Sequence, residues 1–304
     1  MRLATILLIS GTLLAGCEVN LNTEGLSARE LKTFKVTGQP EVVLDTFDGS
    51  IELHSWDRNE IEVEVEKRAM EQSLLDEIKI DAQQEGDKIV VRVTGPRGER
   101  HGVTIGMHIS PTARLRVAVP KNANINAVSG DGSIKAEAIE GTIVLRTSDG
   151  SITGTRLSGD IQVRSGDGSI RIDNTTGKLD LETEDGSVGV DARPSVLHLR
   201  TGDGSVRVAL EPETVMTDNW DITTTDGSVV VTLPGLFNAE LDAETSDGAV
   251  RTNHPLLDGD RDDRRDGEGS DDRRERRRTL RSKIGEGGKI LKIRSGDGSI
   301  RIDR

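Results

Sequence analysis

The chain contains no tyrosine, and aromatic residues make up only 2% of its 304 residues. Globular enzyme cores usually rely on bulky rings, which bury large areas. This shortage indicates a core of small aliphatic side chains arranged in thin layers, as in a stack of short repeats. Hydrophobic residues reach only 33%, but they follow a regular pattern, so we do not expect general disorder.

Other shortages exclude whole classes of function. Cys17 is the only cysteine, so the mature protein forms no internal disulfide. The five histidines show no metal-ligand spacing, and no Gly-x-Ser-x-Gly motif is present. The net charge of −13 disfavours binding to a phosphate backbone. We therefore expect no catalytic residue, no metal, no cofactor and no nucleic-acid partner.

The N-terminus has the pattern of an export signal. Arg2 precedes an apolar stretch, residues 3–9, that is too short to span a bilayer. The sequence Leu14-Ala15-Gly16-Cys17 resembles a bacterial lipobox. That resemblance implies a lipoprotein signal peptide over residues 1–16 and a diacylglyceryl group on Cys17, with palmitate as an acyl chain. The alternative is an ordinary signal peptide that leaves a free cysteine.

The lipobox resemblance also implies a location. Acyl chains on one cysteine hold a protein on a membrane. Glu18, directly after the cysteine, favours the outer membrane. We expect a lipid-anchored protein of the cell envelope, on the periplasmic face of the outer membrane or on the cell surface. The polar residues 17–30 are then predicted to form a lipidated tether.

A recurring tetrapeptide organises the rest of the chain. Asp-Gly-Ser followed by a branched aliphatic residue occurs eight times, and residues 247–250 are a near-copy. A fixed spacing of 18 residues over the central copies predicts one small unit stacked many times. The copies begin at Asp48 and at the aspartates that we predict to form a structural turn ladder, namely Asp131, Asp149, Asp167, Asp185, Asp203, Asp226 and Asp297.

Apolar residues recur six and four positions before each aspartate and three and five positions after it. Intervals of two place these side chains on one face of a strand. The predicted fold class is all-β, a β-solenoid (β-helix) of about 18-residue two-strand coils. The alternative is a meander in which each Asp-Gly forms the tip of a hairpin. We expect the glycines to supply positive φ angles.

Stacked aspartates repel each other, and something must offset that repulsion. The first expectation is that each carboxylate accepts hydrogen bonds from the amides of its own turn. The alternative is Ca²⁺ bound along the ladder, since hard cations prefer oxygen ligands.

The pattern also divides the chain. Residues 31–120 are predicted to form an N-terminal β-rich portion with a short helix, and residues 121–257 to form the regular coils. Residues 258–278 contain only charged residues, glycine and one serine, so residues 258–288 are predicted to be a disordered insertion. Residues 289–304 contain one more repeat and are predicted to be the closing coil.

The ordered combination of motifs carries a family resemblance. Residues 165–172 and 295–302 both read Ser-Gly-Asp-Gly-Ser-Ile-Arg-Ile, and residues 74–80 and 116–120 add two further segments. Together they resemble the bacterial "putative adhesin" family. This resemblance implies an exported or membrane-tethered solenoid with no assigned activity and no catalytic residues to transfer.

We therefore expect a non-catalytic envelope lipoprotein that presents a solenoid surface for adhesion or for binding an envelope component. Its expected partners are the membrane, through the lipid anchor, and an envelope protein or glycan. One alternative is an accessory or scaffold protein in envelope-stress signalling. Another is an enzyme that acts on polysaccharide with aligned carboxylates, although turn geometry already explains why the aspartates recur.

Overall fold

The computed structural model describes residues 18–22, 25–96, 110–254 and 278–304. The predicted all-β class is confirmed, because 23 strands join into one large sheet. One short helix, α1 (Gln72–Glu77), accompanies them in the described residues. No helix in that part of the chain has the length and hydropathy needed to cross a membrane.

The strands in chain order are β1 (Glu18–Asn22), β2 (Gly25–Lys35), β3 (Glu41–Thr46), β4 (Ile51–Trp56), β5 (Glu60–Ala69), β6 (Lys79–Glu85), β7 (Lys88–Thr94), β8 (Thr112–Pro120), β9 (Asn124–Ser129), β10 (Ile134–Glu137), β11 (Glu140–Thr147), β12 (Ile152–Thr155), β13 (Ser158–Ser165), β14 (Ile170–Thr183), β15 (Val188–Thr201), β16 (Val206–Leu210), β17 (Trp220–Thr224), β18 (Val229–Thr232), β19 (Ala239–Thr245), β20 (Val250–Thr252), β21 (Thr279–Ile284), β22 (Ile290–Ser295) and β23 (Ile300–Asp303).

Most strands belong to two parallel stacks. We call the strand before an Asp-Gly-Ser turn the leading strand, the strand after it the trailing strand, and the two together a rung. Leading strands pair with leading strands of neighbouring rungs, as β11 does with β9 and β13. Trailing strands do the same, as β12 does with β10 and β14. The two strands of a rung therefore do not form a hairpin, and the meander alternative is wrong.

The four apolar columns predicted from the sequence line the core. Residues in the same column face each other across neighbouring rungs, for example Ile143 with Ile161 and Ile134 with Ile152. Nearly all of these side chains are buried, and they belong to one continuous cluster. The two-residue repeat of a strand explains this, because every second side chain points to the same face.

The rung order departs from the chain order at the N-terminal end. The β3–β4 rung lies between the β9–β10 rung on one side and the strands β7 and β8 on the other. Antiparallel strands then cover this end, with β6 beside β7, and β5, β2 and β1 following β8 in turn. The covering strands leave fewer free strand edges for another chain to join.

The predicted tether over residues 17–30 is wrong for most of its length. Residues 18–22 and 25–30 lie in β1 and β2, and β2 pairs with β5 over ten residues. Leu26 and Ala28 pack against the core, which gives this segment a reason to stay in the sheet. Cys17 lies outside the described residues.

The C-terminal rung is inserted and does not close the stack. The rung formed by β22 and β23 lies between β17–β18 on one side and β19–β20 on the other. The prediction that residues 289–304 form the closing coil is therefore wrong. Ile293 faces Ile222 on one side and Ala243 on the other, so the inserted rung continues the apolar columns in both directions.

The prediction of disorder over residues 258–288 is wrong at its C-terminal end. Residues 279–284 form β21, which pairs antiparallel with β19 and covers the last rung. Leu280 and Ile284 are buried there, so this part of the segment has an apolar face to pack. Residues 255–277 lie outside the described residues.

Candidate binding groove

The rungs present two different edges. The turn edge is the row of Asp-Gly-Ser turns that join leading to trailing strands. The opposite edge is the row of connections that lead from each trailing strand to the next strand along the chain. The turn edge is nearly the same in every rung, and the opposite edge varies from rung to rung.

Buried hydroxyl groups link neighbouring rungs along the turn edge through hydrogen bonds. The Thr147 hydroxyl donates to the carbonyl oxygen of Gly132 in the neighbouring rung at 2.9 Å. It also accepts a hydrogen bond from the amide of Gly150 in its own turn at 3.2 Å. An equivalent buried hydroxyl lies two residues before the aspartate of every repeat, on Thr46, Ser129, Thr147, Ser165, Thr183, Thr201, Thr224, Thr245 and Ser295. In all of these except Thr46, the hydroxyl donates to a turn-glycine carbonyl of an adjacent rung.

The glycine of each turn is needed for a different reason than the sequence suggested. Among the repeat glycines that follow the aspartates, only Gly49 has a positive φ, of 121°. At Gly168, an added Cβ would lie 2.0 Å from the carbonyl oxygen of Gly150. The same contact recurs along the described turn edge. The turns therefore require glycine because the backbones of neighbouring rungs touch there.

The predicted ladder aspartates lie exposed along this edge. Asp131, Asp149, Asp167, Asp185, Asp203, Asp226 and Asp297 all face solvent. Asp48 is half-buried, and burial together with the charge of Asp131 raises the pKa of its carboxyl group, although a hydrogen bond from the Gly49 amide acts in the other direction.

The expected carboxylate–amide bonds of the turns are not the common arrangement. In five of the repeats the turn-glycine amide donates to the buried hydroxyl, as Gly132 does to Ser129. No cluster of three or more histidine, cysteine or acidic residues suited to a metal lies in the described ranges.

A groove of about 710 Å³ opens on the opposite edge near the N-terminal end. Four segments line it, namely residues 37–39, 56–59, 120–122 and 140–141. They meet because the β3–β4 rung is inserted between β8 and β9–β10, out of chain order. The groove is therefore a product of rung order, and its volume lies in the usual range for small-ligand sites, about 300–1,000 Å³.

Backbone hydrogen bonds hold the walls of the groove in place. The amide of Val36 donates to the carbonyl oxygen of Asn59 at 3.1 Å. On the facing wall, the Glu140 amide donates to the Lys121 carbonyl at 2.8 Å, and the Glu140 carbonyl accepts from Ala123 at 3.0 Å. These bonds fix the segments on both sides, so the groove is formed before any ligand arrives.

Two polar side chains fix the rim further. Asp87 accepts hydrogen bonds from the amides of Thr37 and Gly38, each at 2.9 Å. These bonds, with the Thr37 amide first, hold the pKa of Asp87 below its ordinary value. The side-chain oxygen of Asn124 accepts from the Thr142 amide at 3.0 Å and from the Gln39 side chain at 3.3 Å.

Trp56 gives the groove an aromatic surface. Its indole nitrogen donates to the carbonyl oxygen of Glu60 at 2.8 Å, and the Arg58 guanidinium lies 4.6 Å from the ring centroid. Trp56 is half-buried, whereas Trp220, the only other tryptophan of the chain, is 1% exposed. The groove thus has the one indole that a ligand can reach.

The charges of the groove balance. Lys121 forms an ion pair with Glu140 at 2.7 Å, and this contact, with a smaller contribution from Asp57, raises the pKa of the lysine. Arg58 pairs with Glu60, which lies at the start of β5, at 3.3 Å. Among the lining residues, Asp57 and Glu140 offset Arg58 and Lys121. The groove can therefore stack a ring and exchange hydrogen bonds without favouring one sign of ligand charge.

None of the groove residues was predicted from the sequence. The sequence does distinguish the two tryptophans. Trp220 falls in an apolar column of the repeat, whereas Trp56 falls outside the columns at the end of a strand, which indicates an indole that is not part of the core. The role of the buried hydroxyls was not predicted either, although the sequence has a serine or threonine two positions before every repeat aspartate.

The sequence model of a family described as Toastrack DUF4097 matches residues 40–303. No curated protein matches the chain significantly. Among solved structures, a "putative cell adhesion protein" from Clostridium sporogenes ATCC 15579 is 12% identical with a TM-score of 0.30, over 91% of this chain and 99% of that one. A "putative adhesin" from Bacteroides fragilis NCTC 9343 is 10% identical with a TM-score of 0.43, over 90% and 96%. A "putative lipid binding protein" from Parabacteroides distasonis ATCC 8503 is 14% identical with a TM-score of 0.39, over 90% and 96%.

Proposed function

The chain belongs to the Toastrack DUF4097 family, and from that premise we propose that it is a non-catalytic lipoprotein of the cell envelope. Its role in this proposal is to bind an envelope component through the groove around Trp56. The observation that supports it most is the preformed groove, which joins a reachable indole to hydrogen-bonded walls. A site that is ordered before binding loses less entropy when its ligand arrives.

In this proposal the two strand stacks are the sides of a β-solenoid with coils of about 18 residues. The shared hydroxyl bonds and the close glycine contacts restrict movement between rungs. The stack then acts as a stiff support that presents the groove in one fixed geometry.

The lipid anchor is the second part of the proposal. The lipobox-like sequence ending at Cys17 supports it, and β1 begins at the next residue, Glu18. An acylated Cys17 would therefore hold the sheet close to the membrane with almost no tether. Four strand spacings, roughly 20 Å, separate β4 from β1 across β8, β5 and β2. The groove at the end of β4 would then face material near the membrane surface.

The anchor can be tested by metabolic labelling with palmitate in the source organism. The unchanged protein should take up label and sediment with membranes, and Cys17→Ser should lose the label and appear in the soluble fraction. A Cys17→Ser protein that stays on the membrane, together with an unlabelled unchanged protein, would remove the anchor from the proposal.

Binding through the groove can be tested by photo-crosslinking in intact cells. A photoreactive amino acid replaces Asn122 in the groove, and a matched protein has it at Ser187, an exposed position on the turn edge. The proposal predicts a discrete adduct from position 122 and none from position 187. The same adducts from both positions, or none from position 122, would contradict it.

A further inference from the structure

We propose that the ligand of this groove is an uncharged oligosaccharide that packs against Trp56 and exchanges hydrogen bonds with the groove rim. The inference rests on the proposed function, because it names the chemical class of the component that the groove binds. It depends on three features of the groove, which are the indole, the amide side chains and the paired charges.

The indole is the first feature. A sugar ring has faces of C–H groups, and these pack well against an aromatic ring because both surfaces are apolar. The Arg58 guanidinium covers part of the Trp56 ring at 4.6 Å. Arginine adds a planar group with several N–H donors, so the Trp56–Arg58 pair combines a stacking surface with hydrogen-bond donors.

The amide side chains are the second feature. Gln39, Asn59 and Asn122 all line the groove. An amide side chain both donates and accepts hydrogen bonds, and so does a hydroxyl group. Sugar hydroxyls can therefore be matched at the rim whichever way each one points.

The third feature is that both cations of the groove already have partners. Lys121 is bonded to Glu140, and Arg58 to Glu60. Each carboxylate already offsets much of the attraction that its cation would offer to a phosphate or a uronate. Lys121 likewise offsets the attraction of Glu140 for a cationic ligand. The paired charges therefore give a charged ligand little advantage over an uncharged one.

The backbone of the groove disfavours an extended peptide. Peptides that add to a sheet edge bind through free main-chain groups. Here the Val36 amide, the Asn59 carbonyl and the Glu140 amide and carbonyl are already used across the walls. These main-chain groups are not free to pair with a peptide strand, which favours a ligand that side chains recognise, such as one made of rings and hydroxyls.

The test is calorimetric titration of the full-length protein with defined probes. The uncharged probes are tetraacetylchitotetraose, cellotetraose and maltotetraose, and the acidic probe is tetragalacturonate. We expect at least one uncharged probe to bind, and Trp56→Ala to weaken it by about tenfold or more. Trp56→Phe should stay within about threefold of the unchanged protein, because the ring is kept.

Two further variants make the result decisive. Asn122→Ala changes an exposed groove residue, and it should also weaken binding. Lys135→Ala changes an exposed residue on β10, away from the groove, and should leave binding unchanged. The inference is overturned if only tetragalacturonate binds, if no probe binds, or if uncharged probes bind Trp56→Ala and Asn122→Ala as well as they bind the unchanged protein.

The crosslinking experiment separates the two proposals. A protein adduct from position 122 with no saccharide binding would leave the proposed function standing and overturn the saccharide inference. Saccharide binding that depends on Trp56, together with no adduct in cells, would support the ligand class and count against binding in the envelope.

Discussion

The Thr147 hydroxyl lies 2.9 Å from the carbonyl oxygen of Gly132 in the neighbouring rung and donates a hydrogen bond to it. The same group accepts from the Gly150 amide, so one buried hydroxyl satisfies polar backbone groups of two rungs. Buried polar groups without a partner destabilise a protein, which explains why this position is always serine or threonine in the repeats.

Replacing Thr147 with valine should destabilise the protein. Valine has nearly the same shape but leaves the Gly132 carbonyl and the Gly150 amide without their side-chain partner, at a cost of about 1–3 kcal/mol. Thr147→Ser keeps the hydroxyl and should cost less. Urea unfolding followed by circular dichroism measures both. Equal midpoints for Thr147→Val and the unchanged protein would contradict the role given to the hydroxyl.

A glycine-to-alanine pair tests the close contact between rungs. In Gly168→Ala the new methyl group would lie 2.0 Å from the Gly150 carbonyl oxygen, so the rungs must move apart. We expect a loss of about 3 kcal/mol or more, at the upper end for overpacked sites. At Gly189 the nearest atom would be 3.9 Å away, so Gly189→Ala should be neutral or slightly stabilising. Similar melting temperatures for the two variants would disprove the contact argument.

The repeat pattern predicts the core well but cannot predict the rung order. Ile293 is apolar like its neighbours in the column, so the pattern fits equally beside Ile222 or beyond Ala243. Any rung can stack on any other, and only the lengths and packing of the connections decide the order. The groove could not be predicted for the same reason, because it forms where a rung is inserted out of chain order.

The buried hydroxyls two positions before each aspartate differ from the rung order, because strand geometry already implies where they lie. Positions six, four and two before each aspartate lie on one face of the leading strand. The first two are apolar, so Thr147 and its equivalents had to face the core as well. Serine and threonine are usually exposed in proteins, and a turn with close backbone contacts reverses that preference here.

Acid should weaken the junction between the inserted rung and its neighbours. Asp242 on β19 accepts hydrogen bonds from Arg294 on β22 at 2.6 Å and from Arg281 on β21 at 3.2 Å. These contacts, with Arg294 first, hold the pKa of Asp242 below its ordinary value of 3.8. The stabilisation is therefore complete above that value and is lost as the pH falls towards the lower folded-state pKa.

Asp242→Asn tests this dependence. The variant should unfold at lower urea than the unchanged protein at pH 7, and the difference should shrink below about pH 4. Asp203→Asn changes an exposed turn-edge aspartate and should leave the midpoint at pH 7 near that of the unchanged protein. A difference for Asp242→Asn that stays constant down to about pH 2 would count against the ion pair as its cause.

Removing residues 289–304 tests the inserted rung. In the described residues, β19 pairs only with β22 and with the cap strand β21, so the deletion separates the last rung from the stack. Hydrogen exchange should become fast in residues 239–252 and stay slow in residues 140–210. Continued protection of residues 239–252 would mean that this rung can close directly onto β17 and β18.

The most direct test of the account is the indole region of the nitrogen–proton spectrum. The chain has two tryptophans, so only two indole signals are expected. Trp56 lines the groove, and Trp220 is buried with its indole nitrogen donating to the Ser195 carbonyl at 3.1 Å. On addition of detergent-solubilised envelope extract from the source organism, the Trp56 signal should shift or broaden while the Trp220 signal stays in place. An unchanged Trp56 signal at saturating extract would contradict binding of an envelope component in the groove.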